Sequence, residues 1–158
     1  MTLATSLDWQ CQPFAQLTPA QLYSILRLRA EVFVIEQQCI YLDPDGLDTQ
    51  ALHLGAWAGE QLMAYARLLP PGARAPDPVI SRVITAPAAR GTGLGHQLNR
   101  HALQQMAQAW PGQGVTLFAQ AHLQAFYAQA GFVGVGDEFD EDGIPHREMR
   151  SPPPLAAL

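Results

Sequence analysis

The chain has 158 residues and no lysine; all nine of its basic side chains are arginine. That absence excludes one phosphate-binding loop, because the Walker pattern ends in Gly-Lys-Ser/Thr. Carboxylates are missing from a long interior stretch, with none between Asp77 and Asp137. A dinucleotide fingerprint wants an acid about 20 residues beyond its glycines, and a third glycine three positions after the second. Here His96 stands in that glycine's place. Cysteine is scarce: Cys11 and Cys39 are the only two thiols. A domain of this size holds itself together without disulfides, so free thiols in a reducing compartment are expected. No apolar run approaches membrane-spanning length, and the first residues lack the basic-then-apolar signal pattern. The expectation is a cytoplasmic protein with no membrane partner. Asp43, Asp45 and Asp48 alternate with turn residues, but no glutamate closes a calcium-type loop. They read as a turn, and no metal is expected.

The formal net charge of -5 argues against nucleic acid as the main partner. Its distribution is uneven. Residues 79–136 carry Arg82, Arg90 and Arg100 and no acid, whereas both flanks are acidic. Such a band suits an anionic cofactor beside a cationic substrate. It also suits buried α/β segments that are simply poor in charge.

Within the band lies the stretch from Val83 to Gly95. It begins β-branched and extended, is stopped by Pro87, and then places glycines at 91, 93 and 95 before a segment free of Gly and Pro. This reads as strand, glycine turn, helix. The turn would aim several backbone N–H groups and a positive helix end at one spot, with Arg90 adding a planar donor fork. The ligand implied is a phosphate group.

Around this stretch the chain divides readily. Leu7 to Phe14 reads as a strand. Thr18-Pro19-Ala20-Gln21 is a capping-box helix start, with the helix expected to run to about Glu36. Leu52–Trp57 and Gln61–Leu69 form a hairpin, a Pro-rich loop covers 70–78, and 79–85 is a strand. A helix from Leu94 to about Ala109 follows, then a strand at 115–119 and a short helix at 122–130 closed by Gly131. Strands at 132–136 and 144–149 flank an acidic turn at Asp142-Gly143. The order is β-α-β-β-β-α-β-α-β-β, an α/β fold with a mixed, mostly antiparallel sheet and helices on both faces. One domain is expected over 1–150, with a Pro-rich tail at 151–158 that frays.

Arg90-x-x-Gly93-x-Gly95 resembles the pyrophosphate loop of the GCN5-related N-acetyltransferases (GNAT), which bind acetyl-CoA. Phe126-Tyr127-x-x-x-Gly131-Phe132 resembles that family's motif near the end of the domain, and the element order agrees. Leu28 to Gln37, Tyr65-Ala66-Arg67, Arg82-Val83-Ile84, Ala119 to Gln124 and Glu141 to His146 are similar to the ElaA-like branch. The resemblance implies that the backbone of Val83, Ile84 and Thr85 pairs with the pantetheine arm. It implies that Arg90, Gly91, Thr92, Gly93, Leu94 and Gly95 cradle the pyrophosphate. It places a backbone N–H of Ile84 or its neighbour at the acyl oxygen, and Tyr127 beside the CoA sulfur as proton donor. Many relatives carry Asn seven residues before that tyrosine; this chain has Gln120, whose longer amide offers the same contacts.

The activity implied is direct transfer of an acetyl group from acetyl-CoA to an amine. The acceptor stays open, small molecule or protein, as does oligomeric state. The proton acceptor is open among Glu31, Glu36, His53, His146 and water. The acids at 137–142 read as a solvated hairpin or as an attractor for a cationic amine. A non-catalytic CoA sensor on the same scaffold and a nucleotide-binding module are the rival readings.

Overall fold

The computed structural model describes residues 6–154. Seven strands form one sheet in the order β1-β2-β3-β4-β5-β7-β6, with ranges β1 Asp8–Pro13, β2 Leu52–Ala58, β3 Gln61–Leu69, β4 Val79–Thr85, β5 Val115–Gln120, β6 Val133–Glu141 and β7 Ile144–Ser151. Every neighbouring pair is antiparallel except β4 with β5. The helices are α1 Pro19–Arg29, α2 Leu94–Ala109 and α3 Gln124–Ala128.

Alternation along the central strands decides which helix each face receives. On β3, Ala64, Ala66 and Leu68 pack with Leu94, Leu98, Ala102 and Met106 of α2. Tyr65, between them, points to the other face with Ile25 and Leu28 of α1. Side chains two apart on a strand share a face, so one strand supplies both cores. α1 begins as its sequence predicts: Thr18 accepts from the Gln21 N–H, and Gln21 returns a bond to the Thr18 N–H.

Several boundaries differ from expectation. The helix expected to run from 18 to 36 changes at Arg29 into a π-helix, Ala30–Glu36. That segment is rich in branched and aromatic side chains, which crowd an α-helical turn. The short helix at 122–130 resolves into a 3-10 turn, Ala121–Leu123, and then α3. Strand β6, expected to end at Gly136, extends through the acids to Glu141, and the turn falls at Asp142-Gly143 as expected. Strand β7 includes Ser151, which is buried, while 155–158 lie outside the described residues.

One irregularity shapes the sheet. Opposite Ala66 of β3, strand β4 places two residues, Arg82 and Val83, where one would pair; Arg82 has φ +52°. This is a β-bulge, which bends and twists its strand. An L-residue held in the left-handed region costs about 1–2 kcal/mol. What holds it is charge. Arg82 reaches Asp43 (Nε–Oδ1 2.8 Å, an ion pair poorly aligned for a hydrogen bond) and donates through Nη2 to the Asp43 carbonyl at 2.9 Å. Beside it, fully buried Arg29 and Arg67 meet Asp43, Asp45 and Asp48 at 2.7–3.0 Å. So the aspartates read as a plain turn are the anionic half of a buried network. Pairing of β4 with β5 ends at Ile80↔Leu117, just before the bulge. Beyond that point the two parallel strands separate.

Candidate active site

The separation of β4 from β5 opens a cleft of about 810 Å³, lined from one side by the start of α2 and from the other by the π-helix. One wall is Val83, Ile84 and Thr85, whose backbone edge toward β5 has no strand partner. The floor is Leu117, Ala119 and Gln120 of β5, and α3 contributes Phe126 and Tyr127. Arg90, Gly91, Gly93, Leu94 and Gly95 also line it. Thr92 does not; its hydroxyl donates to the Ala89 carbonyl at 2.6 Å and so ties the loop to itself.

The loop is built for close backbone approach. Gly91 and Gly93 sit at φ +77° and +83°, and a Cβ at either would meet nothing within 4 Å. Gly93 is the N-cap of α2, so the helix begins at the cleft with its first N–H groups free of side-chain caps. Gly95 is needed for another reason: a Cβ there would lie 3.1 Å from the Phe126 ring. Helix α2 therefore packs closely on α3. Open space, left-handed glycines, a helix N-terminus and an arginine together fit a pyrophosphate.

Arg90 is not idle. Its guanidinium makes a two-point ion pair with Glu36, Nη1–Oε2 2.8 Å and Nη2–Oε1 2.7 Å. That hydrogen bond holds the Glu36 carboxyl below its ordinary value. Gln37, the next residue, accepts from Gln120 Nε2 at 3.3 Å. The end of the π-helix thus touches both the glycine loop and the end of β5.

Tyr127 is buried, and among the described residues its hydroxyl has no hydrogen-bond partner, although it lines the cleft. Burial pushes the phenol well above its usual range, so it stays protonated. The hydroxyl oxygen itself is not enclosed; it opens on the cleft, where a ligand or water can meet it.

The comparisons with known proteins converge on one family. Residues 25–152 match the family model described as an acetyltransferase (GNAT) domain. The chain belongs to the GNAT acetyltransferase family. Protein ElaA of Escherichia coli is 43% identical over 145 residues, covering 90% of this chain and 95% of that protein. Its crystal structure superposes with a TM-score of 0.87, covering 92% of this chain and 99% of that one. An acyl-CoA N-acyltransferase from Pseudomonas aeruginosa is 51% identical with a TM-score of 0.89, at the same coverage. The ElaA-like branch and the GNAT-type mixed sheet are thereby established for this chain.

In this GNAT fold the four candidate proton acceptors fall in different places. Glu31 is paired with Arg27 at 3.0 Å and does not line the cleft. His53 is buried outside the cleft, donating from Nε2 to the Asp48 carbonyl and accepting at Nδ1 from the Tyr65 hydroxyl. Burial pushes its imidazole below the ordinary value, so it is neutral and structural. Glu36 lines the cleft with its carboxylate on Arg90. His146 lines the cleft as well. Two contacts that fix the β6–β7 hairpin at the cleft were not foreseen: Cys39 donates to the Asp142 carbonyl at 3.5 Å, and Arg74 pairs with Glu141 at 2.7 Å. The Arg74 contact spans 67 positions, and no local pattern announces it.

Proposed function

We propose that the protein transfers an acetyl group from acetyl-CoA directly to an amine. The observation that carries this reading is the splay of β4 from β5, with the glycine loop and Tyr127 both lining the cleft it opens. The cosubstrate supplies an activated acyl carbonyl; the remaining tasks fall to the chain. The free edge of Val83–Thr85 binds an extended amide-bearing arm as an added strand would. A backbone N–H at Ile84 or its neighbour faces the acyl oxygen and offsets charge developing there. Arg90, Gly93 and the α2 N-terminus hold phosphate. Gln120 borders the same channel.

Tyr127 supplies the proton to the departing sulfur. A phenol raised by burial is a weaker acid, which at first counts against that role. The sulfur leaves into the same surroundings, however, and burial raises thiols too: it pushes the Cys11 thiol up to about 11. The gap between donor and acceptor therefore stays modest. A sensor that only bound CoA would have no use for an unpartnered phenol hydroxyl opening on the cleft at this point.

Thermal stability with CoA tests the reading first. At 100 times the dissociation constant a ligand adds about 2.7 kcal/mol. Arg90→Gln should shrink that shift with no change in the melting temperature of the free protein. Thiol release from acetyl-CoA across a panel of amines then reads activity. No shift with millimolar CoA would refute the cofactor assignment.

A further inference from the structure

We propose that Glu141 and His146 form a subsite for a protonated primary amine, and that His146 Nε2 takes that amine's proton before transfer. This rests on the acyl-transfer reading above and names its acceptor class and its base.

The geometry begins with the ring. His146 lies on β7 between Gln120 of β5 and Phe139 of β6, at the end of β5 where the cleft opens. It is only 8% exposed and stacks on Phe139 with centroids 6.1 Å apart. Nδ1 lies 2.7 Å from the Ile144 carbonyl. A carbonyl only accepts, so Nδ1 carries the hydrogen, and in the neutral ring the lone pair is on Nε2. Nε2 is 3.5 Å from Glu141 Oε2. That is too long for a good hydrogen bond. It suits two acceptors sharing one ammonium nitrogen, each at about 2.8–2.9 Å. The other Glu141 oxygen is taken by Arg74 at 2.7 Å, which fixes the carboxylate and leaves Oε2 for the ligand. Glu141 is the charged group against the ring. Arg74 reaches the ring through Glu141, and Gln120 and Phe139 are neutral. Asp142 adds negative charge on the same wall.

The chemistry needs both residues. An alkylamine resembles lysine, with a pKa near 10.4, so at neutral pH nearly all of it is protonated and unreactive. Glu141 binds the cation. His146 Nε2 then accepts one proton, which frees the nitrogen lone pair. The nitrogen–carbon bond forms, the carbon–sulfur bond breaks, and Tyr127 gives its proton to the sulfur. The second amine proton is lost as the amide forms and restores the phenol, directly or through water; His146 returns its own to solvent. A nitrogen with no hydrogens, or an alcohol, fails this arrangement: one cannot donate to both acceptors, the other brings no charge to Glu141.

The test uses n-butylamine and 1,4-diaminobutane as probes, with 1-butanol and tetramethylammonium as controls. The His146 imidazole resonances are followed by NMR, with and without saturating CoA. The amines should move them and the controls should not, and Glu141→Gln should weaken amine binding about tenfold, as expected for one charged hydrogen bond. His146→Asn keeps a donor near the Ile144 carbonyl and removes Nε2. In thiol-release assays with n-butylamine it should lower kcat at least a hundredfold, abolish the acid limb of the kcat/KM profile and respond to added imidazole. Amines that leave His146 unmoved, or a His146→Asn enzyme that keeps its rate and acid limb, overturn the proposal. A protein whose resonances ignore CoA overturns the acyl-transfer reading instead, and the amine titration without CoA still judges the subsite.

Discussion

Two side chains at the cleft carry charge or a proton in ways that predict opposite responses to mutation. Tyr127→Phe keeps the ring and its packing against Phe126 and Phe132. It removes one O–H donor whose value appears as the sulfur becomes negative. Such an interaction belongs to the transition state, so kcat should fall, by about tenfold if water substitutes and by 10²–10⁴ if it does not. Affinity for CoA should stay unchanged. Because burial lifts the phenol far above its usual range, the profile should show no alkaline limb from Tyr127 below pH 10. Wild-type turnover in the variant, with chemistry limiting, would make Tyr127 a core residue only.

Glu36 should behave differently. Its carboxylate occupies the Arg90 fork that a phosphate would use. Both side chains are 44% exposed, and exposed pairs contribute little to stability. Glu36→Gln should therefore leave the melting temperature alone and tighten CoA binding about two- to fivefold, because no internal anion has to be displaced. Calorimetry with CoA decides it; weaker binding in the variant would show that Glu36 supports the loop rather than competing for it.

At the scale of elements, the bulge in β4 sets the cleft. Arg82 carries both its left-handed backbone and the charge that holds it there. The two effects separate by substitution. Arg82→Ala loses the ion pair and keeps an unfavourable φ; Arg82→Gly loses the same ion pair and relieves the φ. The alanine variant should be less stable by about 1 kcal/mol, or about 2–4 °C in melting temperature. Equal stability would mean the bulge straightens when the side chain is lost. The bulge was not legible in the sequence, since Arg82 sits in a β-branched run that reads as regular strand. The glycine loop was legible, because its glycines and Arg90 lie within six positions. The capping box and the core alternation of β3 were legible for the same reason: their physics is local. Asp43, Asp45 and Asp48 misled, because turn chemistry at Pro44 and Gly46 was true and incomplete. Their partners Arg29, Arg67 and Arg82 are 14 to 39 positions away. Only the folded sheet brings those charges together.

At the scale of the molecule, that network couples α1, the 37–51 loop, β3 and β4, and its protonation should govern acid stability. Burial alone would raise the Asp45 and Asp48 carboxyls. Hydrogen bonds from Arg67 and the Leu47 N–H outweigh it at Asp45, and those from Arg29 and Arg67 do so at Asp48; both end below the ordinary range. A carboxyl whose folded pKa is depressed contributes stability that is complete above its unfolded value, about 3.9, and lost as pH falls through the folded one. His53 adds a step at higher pH. Burial keeps it neutral in the fold, while the unfolded imidazole takes a proton below about 6.5. Its protonation therefore also favours the unfolded chain. The melting temperature should fall gently below pH 6.5 and steeply below pH 4. His53→Gln should flatten the first part, even if it lowers stability at pH 8. Asp48→Asn should cost about 3–5 kcal/mol at neutral pH, because it leaves Arg29 and Arg67 charged, fully buried and short of a counter-ion. It should also weaken the steep acid limb, since one of the carboxylates responsible is gone. Thermal scans from pH 3 to 8 on the three proteins test this. A steep limb unchanged by Asp48→Asn would move the origin of acid lability away from the network, to carboxylates elsewhere in the protein.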